Sequence, residues 1–269
     1  DDFANILDAN DGISRAEALW KWYHGPTLLS SLRAVAQESR LAAEDGDPDS
    51  PEGTRFSVVD VTRRPALGDA AVTGTVLEGS IAPADKLLVL PMGELVSVKS
   101  VDIGGQSSEH AQLAKKGDYA VTLGVTFLQP GVDTSLLVSG TVLCDPQRPA
   151  PVANTLRAQI VTMSALARPI VQGQTGIIYI SAAQESATIS KLIELVTPRK
   201  GAAQDSAVKS RPRMLVKNQS AIVEISVVRP MVAETYKALK SLGRFLFRAQ
   251  GVTIAVGIIL EVKTSALDI

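Results

Sequence analysis

The period of the hydrophobic positions changes near residue 55. Between residues 14 and 43 the apolar residues recur at helical spacing, with a break at Gly25-Pro26 because proline disfavours helix at the residue before it. This pattern predicts two helices, the second of them capped by Thr27. From Arg55 onward apolar and polar residues alternate, which predicts β-strands for the rest of the chain.

The predicted strands are short and are separated by turn signals, a pattern that indicates closed barrels or sandwiches. In the first part of the β region the predicted strands are 56–61, 72–77, 87–90, 96–101, 119–125 and 136–143. In the second part they are 156–163, 175–180, 187–196, 214–216, 220–228, 244–248 and 253–262.

The chain divides into four parts on this pattern. Residues 1–43 are helical, and residues 44–54 form an acidic linker rich in proline and glycine. Residues 55–148 and 149–269 are two β domains. The boundary between them is placed where Pro146, Pro149 and Pro151 cluster, because a sheet interior does not accommodate three prolines.

Charge separates the two halves of the chain. Residues 1–149 hold 12 Lys/Arg and 21 Asp/Glu, a net charge of −9, whereas residues 150–269 hold 15 and 7, a net charge of +8. The second half therefore suits an acidic protein partner or RNA, or else the two halves attract each other.

Local motifs for catalysis are missing from the sequence. It contains no Gly-x-x-x-x-Gly-Lys-Ser/Thr, no Gly-x-Gly-x-x-Gly, no His-Glu-x-x-His and no Cys-x-x-Cys. The single cysteine, Cys144, fits a reducing compartment and is predicted to be a small buried or edge residue. No apolar run is long enough to span a bilayer, and no secretory peptide is evident. We therefore expect a binding module without its own catalytic site or metal, located in the cytoplasm and away from membranes.

Three stretches resemble translational GTPases of the elongation factor 1-alpha superfamily. Residues 22–29 (Trp-Tyr-His-Gly-Pro-Thr-Leu-Leu) are similar to the exit from the GTP-binding domain of that family. Residues 72–76, with Gly79, Ile81, Asp85 and Leu87, resemble its domain 2 barrel, although Ala84 stands where the family usually has glycine. Residues 229–257, centred on Leu242–Arg248, resemble its domain 3.

The resemblance implies two tandem antiparallel β-barrels, preceded by a helical remnant of a GTP-binding domain. It further implies that GTP and Mg²⁺ bind in an N-terminal domain outside this chain, and that the full-length parent is a GTP hydrolase. Elongation factor 1-alpha normally has Pro-Pro before the Leu-Gly-Arg-Phe motif and an acidic residue after the second arginine, where this chain has Lys240-Ser241 and Ala249. The residues 236–237, 242–248 and 251–255 are nearer to the Pelota-partner (Hbs-type) subfamily, which acts in rescue of stalled ribosomes and no-go mRNA decay. The alternatives are a tRNA-delivering elongation factor, release factor three, and a metabolic GTPase subunit such as that of sulfate adenylyltransferase.

Candidate contact residues follow from the residues and the resemblance together. Arg244 and Arg248 lie four apart in a predicted strand, so both point to one face, and Phe245 and Phe247 point to the other. With Gly243 and Phe245, the two arginines are the predicted site for a Pelota-type protein; the alternative is that Arg244 pairs with an interior carboxylate such as Glu234. The predicted contacts to the small ribosomal subunit RNA are Arg63, Arg64, Arg211 and Arg213. We expect a monomer.

Overall fold

The structure is a computed structural model that describes residues 25–44, 53–63, 68–104, 113–196 and 212–264. The chain separates into two units, residues 1–46 and 47–269. In the first unit the structure describes one helix, α1 (Leu28–Glu44). The hydroxyl of Thr27 accepts a hydrogen bond from the Ser30 N–H at 3.2 Å, which confirms the predicted cap. The predicted helix before Gly25 lies outside the described residues.

The second unit consists of two closed six-stranded antiparallel β-barrels, which confirms the predicted fold class. The first barrel has the strand order β1-β2-β7-β5-β4-β8, and β3 and β6 form a small separate sheet. The strands of this part are β1 (Arg55–Thr62), β2 (Ala70–Glu78), β3 (Ser80–Ile81), β4 (Lys86–Leu90), β5 (Glu94–Ile103), β6 (Ala114–Lys115), β7 (Val121–Phe127) and β8 (Val142–Cys144).

The second barrel has the strand order β11-β12-β14-β9-β16-β15, and β10 and β13 pair as a two-stranded ribbon. Its strands are β9 (Val152–Thr162), β10 (Ile170–Val171), β11 (Thr175–Ile180), β12 (Ala183–Leu195), β13 (Met214–Leu215), β14 (Ser220–Val232), β15 (Arg244–Ala249) and β16 (Val252–Thr264). None of the helices that the structure describes is both long and apolar enough to cross a membrane.

One predicted strand, 136–143, was wrong in most of its length. A 3-10 helix (Thr134–Leu136) occupies its start, and only β8 at its end is a strand. The Asp133 carboxylate caps the short helix by accepting a hydrogen bond from the Ser135 N–H at 2.9 Å. The apolar run is misleading because Leu136 and Val138 are exposed and only Leu137 between them is buried.

Phenylalanine rings lie over strand glycines inside both barrels. A methyl group on Gly74 would come within 2.9 Å of the Phe56 ring and would also meet the Ser57 carbonyl oxygen. In the second barrel Phe247 covers Gly176 and Phe245 covers Gly257 in the same way. All three rings are buried among Val, Ile, Leu and Ala side chains. Each ring occupies the space that a side chain at the facing glycine would need, which keeps the barrel interiors closely packed.

The turn before β4 forms although it has alanine at the position where the resemblance leads one to expect glycine. Ala84 adopts a left-handed conformation with φ of 74°. Its N–H donates to the Val98 carbonyl at 2.8 Å, and the Asp85 carboxylate accepts from the Ala82 N–H at 2.8 Å. These hydrogen bonds offset the cost of a left-handed alanine, which is of order 1 kcal/mol.

A buried ion pair joins the two barrels. Arg55, the first residue of β1, donates from Nε to the Glu234 carboxylate at 2.7 Å, and both side chains are only 4% exposed. The Nη1 atom of Arg55 also donates to the carbonyl oxygens of Thr54 and Arg148, at 3.1 and 2.9 Å. The guanidinium is thereby surrounded by acceptors, as a buried charge requires.

Apolar side chains and one pair of serine hydroxyls make up the rest of the described junction between the barrels. Leu88, Leu90, Val142 and Cys144 of the first barrel belong to the same buried cluster as the core of the second. The Ser57 and Ser181 hydroxyls lie 3.0 Å apart across the junction. Cys144 is fully buried, as the sequence predicted, and burial raises the pKa of its thiol.

An outward-facing charge ladder crosses the second barrel. The Glu224 carboxylate on β14 accepts from Lys191 at 2.8 Å and from Lys263 at 2.9 Å. These two hydrogen bonds, that of Lys191 first, lower the pKa of Glu224 from its ordinary value of 4.5 to about 2.

We expect Glu224 to make stability dependent on pH in the acid range. Because its folded-state pKa is depressed, its contribution is present above pH 4.5 and is lost as the pH falls towards 2. Glu224→Gln should therefore cost about 1 kcal/mol at pH 7, since both lysines are exposed and screened, and close to nothing at pH 2. Urea unfolding of both proteins at the two pH values checks this, and an equal cost at both would contradict it.

Candidate functional site

Strand β15 presents two arginines outward and two phenylalanines inward. Arg244 and Leu246 are exposed and Arg248 is half-buried, whereas Phe245 and Phe247 are buried. The predicted two-faced geometry is confirmed. At the usual rise of a strand the Cα atoms of Arg244 and Arg248 lie about 13 Å apart. We call the outward residues Arg244, Leu246 and Arg248, with their neighbours Tyr179 and Tyr236, the arginine face.

Each arginine is held in place by a tyrosine ring and a backbone carbonyl. Arg244 Cζ lies 5.6 Å from the centroid of the Tyr236 ring, and its Nε donates to the Lys240 carbonyl at 3.3 Å. Arg248 Cζ lies 5.8 Å from the Tyr179 ring, and its Nη2 donates to the Gly251 carbonyl at 2.6 Å. Both guanidiniums are thus positioned in advance, while most of their N–H donors stay available.

Neither arginine has a carboxylate partner among the residues that the structure describes. The alternative that Arg244 pairs with Glu234 is wrong, because Glu234 is buried against Arg55 at the junction of the barrels. A guanidinium binds a carboxylate or phosphate through two parallel hydrogen bonds. The arginine face can therefore bind two anionic groups that lie about 13 Å apart.

An open apolar groove of about 610 Å³ runs beside Arg244. Its lining comes from β9, β11, β15, β16 and the turn before β15: Gln159, Val161, Tyr179, Ser181, Lys240, Ser241, Arg244, Phe245, Leu246, Val256, Gly257 and Ile258. Val161 and Leu246 are 44% and 45% exposed. Apolar side chains exposed next to unpaired cations are typical of a protein-binding surface.

Gly243 and Phe245 support this surface from within. Both residues are buried, so neither offers a partner an exposed side chain as Arg244 does. Part of the Phe245 ring nevertheless lines the groove. A methyl group on Gly243 would meet the backbone of Tyr236 and of Thr235. Glycine at 243 therefore allows the segment that carries Tyr236 to lie directly against β15, under Arg244.

The predicted RNA contacts are placed only in part. Arg63, after β1, and Arg213, before β13, are exposed and lie on different barrels. Arg64 and Arg211 lie outside the described residues. Arg63 is close enough to Asp133 to contribute to the lowered pKa of that carboxyl, although hydrogen bonds from Ser135 are the main cause.

Sequence reasoning missed the groove and one of the two tyrosines. Tyr179 and Ile177 alternate with the buried Ile178 and Ile180 on β11, so the period-two pattern could have placed Tyr179 outward. Its proximity to Arg248 could not be read locally, because it depends on the pairing of Ile177 with Arg248 and of Tyr179 with Leu246.

No group of three His, Cys, Asp or Glu in the described ranges is arranged to hold an ion. The sequence also lacks the glycine-rich loop with lysine that cradles nucleotide phosphates. The chemistry of the site is that of binding through charge and apolar contact.

Comparison with known proteins agrees with the fold of the two barrels. Residues 155–260, most of the second barrel, match the family model described as GTP-eEF1A C-terminal domain-like. Elongation factor 1-alpha of Cenarchaeum symbiosum is 31% identical over 256 residues, which cover 93% of this chain and 52% of that protein. The chain is a homologue of the C-terminal domains of elongation factor 1-alpha-like translational GTPases. It spans about half the length of that relative, at 52%.

One further relative and one solved structure are also similar to this translation-factor homologue. Protein HBS1 of Drosophila melanogaster is also 31% identical, over 248 residues that cover 91% of this chain and 33% of that protein. A crystal structure of Sup35 in complex with GDP superposes with a TM-score of 0.69 at 23% identity, covering 90% of this chain and 53% of that one. At that identity the superposition shows a shared fold.

Proposed function

We propose that this chain is the docking part of a translational GTPase that acts with a Pelota-type protein in rescue of stalled ribosomes. The observation that carries the proposal is the arginine face, with two positioned guanidiniums that lack carboxylate partners in the described structure. In this proposal a partner protein supplies the carboxylates and fills the adjacent apolar groove.

The flanks of the Gly-Arg-Phe motif support this choice of subfamily. Lys240 and Ser241, which stand where elongation factor 1-alpha normally has Pro-Pro, line the groove beside Arg244. Two of the three positions that distinguish this chain from elongation factor 1-alpha therefore lie on the surface that a partner would contact, and the third, Ala249, lines a different pocket. Protein HBS1 and elongation factor 1-alpha of Cenarchaeum symbiosum match this chain at the same identity of 31%, so overall identity favours neither candidate, and the proposal draws its support from the local surface.

The second candidate is a tRNA-delivering elongation factor. It is favoured by the match to elongation factor 1-alpha, which covers more of that relative than the match to HBS1 covers of the fly protein. In both candidates GTP and Mg²⁺ are held by a separate GTP-binding domain of the same factor, and the protein works in the cytoplasm. Contact of Arg63 and Arg213 with ribosomal RNA is part of the proposal.

The proposal predicts that Arg244→Ala and Arg248→Ala each weaken binding to a purified Pelota-type protein. Loss of one charge-assisted contact costs about 2–4 kcal/mol, so the dissociation constant should rise by roughly 30-fold or more. Isothermal titration calorimetry measures the affinity, and thermal unfolding shows whether the variants stay folded. Melting temperatures should change little, because both guanidiniums are on the outer surface.

Arg229→Ala is the matched control. Arg229 is 77% exposed on the same barrel and pairs with Glu185 on the surface, so its loss should leave partner affinity unchanged. Equal affinity of the two arginine-face variants and the wild type would contradict the proposal. Tight binding of aminoacyl-tRNA, with none of the Pelota-type protein, would favour the elongation factor instead.

A further inference from the structure

Ser241 lies beside Arg244 in the turn between β14 and β15. It is exposed, and its hydroxyl forms no hydrogen bond with any described residue. Ser241, Lys240 and Arg244 line the same groove, so their side chains share one surface. An exposed hydroxyl in a turn, without a hydrogen-bond partner in the described structure, is open to chemical modification.

A hydrogen bond from Arg244 brings its guanidinium close to that hydroxyl. Arg244 Nε donates to the Lys240 carbonyl oxygen at 3.3 Å. This oxygen belongs to the planar peptide unit that ends at the Cα atom of Ser241, and Oγ is two bonds further on. A phosphate on Oγ would therefore lie within reach of the guanidinium, whose other N–H donors the described residues leave available.

The charges around Ser241 suit a protein kinase that recognises basic substrates. Lys237 and Lys240 precede the serine and Arg244 follows it, and the stretch 235–260 contains no aspartate or glutamate. Kinases discriminate among their substrates partly by the pattern of charge around the phosphorylated residue. A kinase with acidic residues around its peptide-binding site is therefore complementary to this stretch.

We propose that Ser241 is a phosphorylation site and that a phosphate there switches the arginine face off. The kinase transfers the γ-phosphoryl group of ATP to Oγ: the bond from that phosphorus to the bridging oxygen breaks, ADP leaves, and the hydroxyl proton passes to the kinase's catalytic base. The phosphate then accepts charge-assisted hydrogen bonds from Arg244, so this guanidinium is no longer available to a partner's carboxylate. The effect on the partner rests on the proposed function, whereas the contact between phosphate and arginine does not.

The first test is phosphoryl transfer to the folded chain. Incubation with Mg·ATP and a kinase selective for basic substrates (protein kinase C) should place a phosphate on Ser241, which peptide mass spectrometry locates. Ser241→Ala should lose that phosphopeptide. A wild-type chain that gains no phosphate at Ser241 would overturn the proposed modification site.

The second test is whether the phosphate meets Arg244, in a chain synthesised with phosphoserine at Ser241. A nearby guanidinium favours the dianionic phosphate, so ³¹P NMR should give the phosphate a lower pKa in this chain than in its Arg244→Gln variant. Arg248→Gln removes the same charge about 13 Å along the strand and should leave the pKa nearly unchanged. Equal effects of the two substitutions overturn the contact, because then only net charge matters.

The third test is calorimetry with the Pelota-type protein. The chain with phosphoserine at Ser241 should bind at least about tenfold more weakly than the unmodified chain. Phosphoserine at Ser100, on β5 of the first barrel, controls for added charge and should leave the affinity unchanged. Undiminished affinity with the phosphate at Ser241 overturns the switch. If the unmodified chain does not bind the Pelota-type protein, the proposed function and the switch fall together, while the pKa comparison still decides whether phosphate and Arg244 form a contact.

Discussion

Replacing Glu234 by alanine is expected to lower the free energy of unfolding by about 3–5 kcal/mol, because it leaves the Arg55 guanidinium buried without a counter-charge. The Arg55 side chain is only 4% exposed, so water cannot take the place of the carboxylate without opening the junction between the barrels. The two carbonyls that accept from Nη1 remain, but they supply no negative charge.

Chemical denaturation of the wild type and the variant measures the loss. The control is Glu185→Ala, which breaks an ion pair with Arg229, whose side chain is 77% exposed. A pair whose cation stays in solvent contributes about 0–1 kcal/mol, because water solvates the guanidinium that is left behind, so the control should be nearly as stable as the wild type. A loss at Glu234 no larger than that at Glu185 would show that the buried pair is not needed for the junction.

A double replacement separates the ion pair from the space it fills. Arg55→Met combined with Glu234→Leu removes both charges and keeps much of the apolar volume. Because replacing both members of a buried pair by apolar residues is often neutral, the double variant should recover most of the stability lost by Glu234→Ala. Failure to recover would show that the hydrogen bonds of Arg55 with Thr54 and Arg148, which only the double variant removes, stabilise the junction in their own right.

The local pattern of apolar and polar residues predicted most of the strands and the two faces of β15. Alternation alone assigned Phe245 and Phe247 to the core and Arg244 and Arg248 to the surface, because a strand reverses its side chains at every residue. The same rule failed at 136–143, since the exposed Leu136 and Val138 resemble strand residues although Asp133 starts a 3-10 turn there.

Contacts between distant residues could not be predicted. Arg55 and Glu234 are 179 positions apart, and nothing near either residue indicates the other. The sequence left open a pairing of Arg244 with an interior carboxylate such as Glu234, but β15 directs Arg244 outward. Pairing register, which depends on the whole sheet, decides such contacts.

Gly243→Ala is expected to damage both stability and partner binding. The added methyl group would overlap the backbone of Tyr236 and lie 2.8 Å from the Thr235 carbonyl carbon, so the chain itself would have to move. Forcing extra volume into a packed site costs about 1–3 kcal/mol, and backbone overlap places this variant at the upper end. Displacement of Tyr236 would also remove the ring that holds Arg244, so affinity for the partner should fall as it does in Arg244→Ala.

Gly93→Ala is the control that separates overlap from backbone conformation. Gly93, on the first barrel, has φ of +82°, which alanine tolerates poorly, but a methyl group there would meet nothing within 4 Å. Its cost should be about 1 kcal/mol, with partner affinity unchanged. Denaturant unfolding and calorimetry on both variants give the comparison. If Gly243→Ala proved no more harmful than Gly93→Ala in either measurement, the close packing of the Tyr236 segment on β15 could not be what positions Arg244.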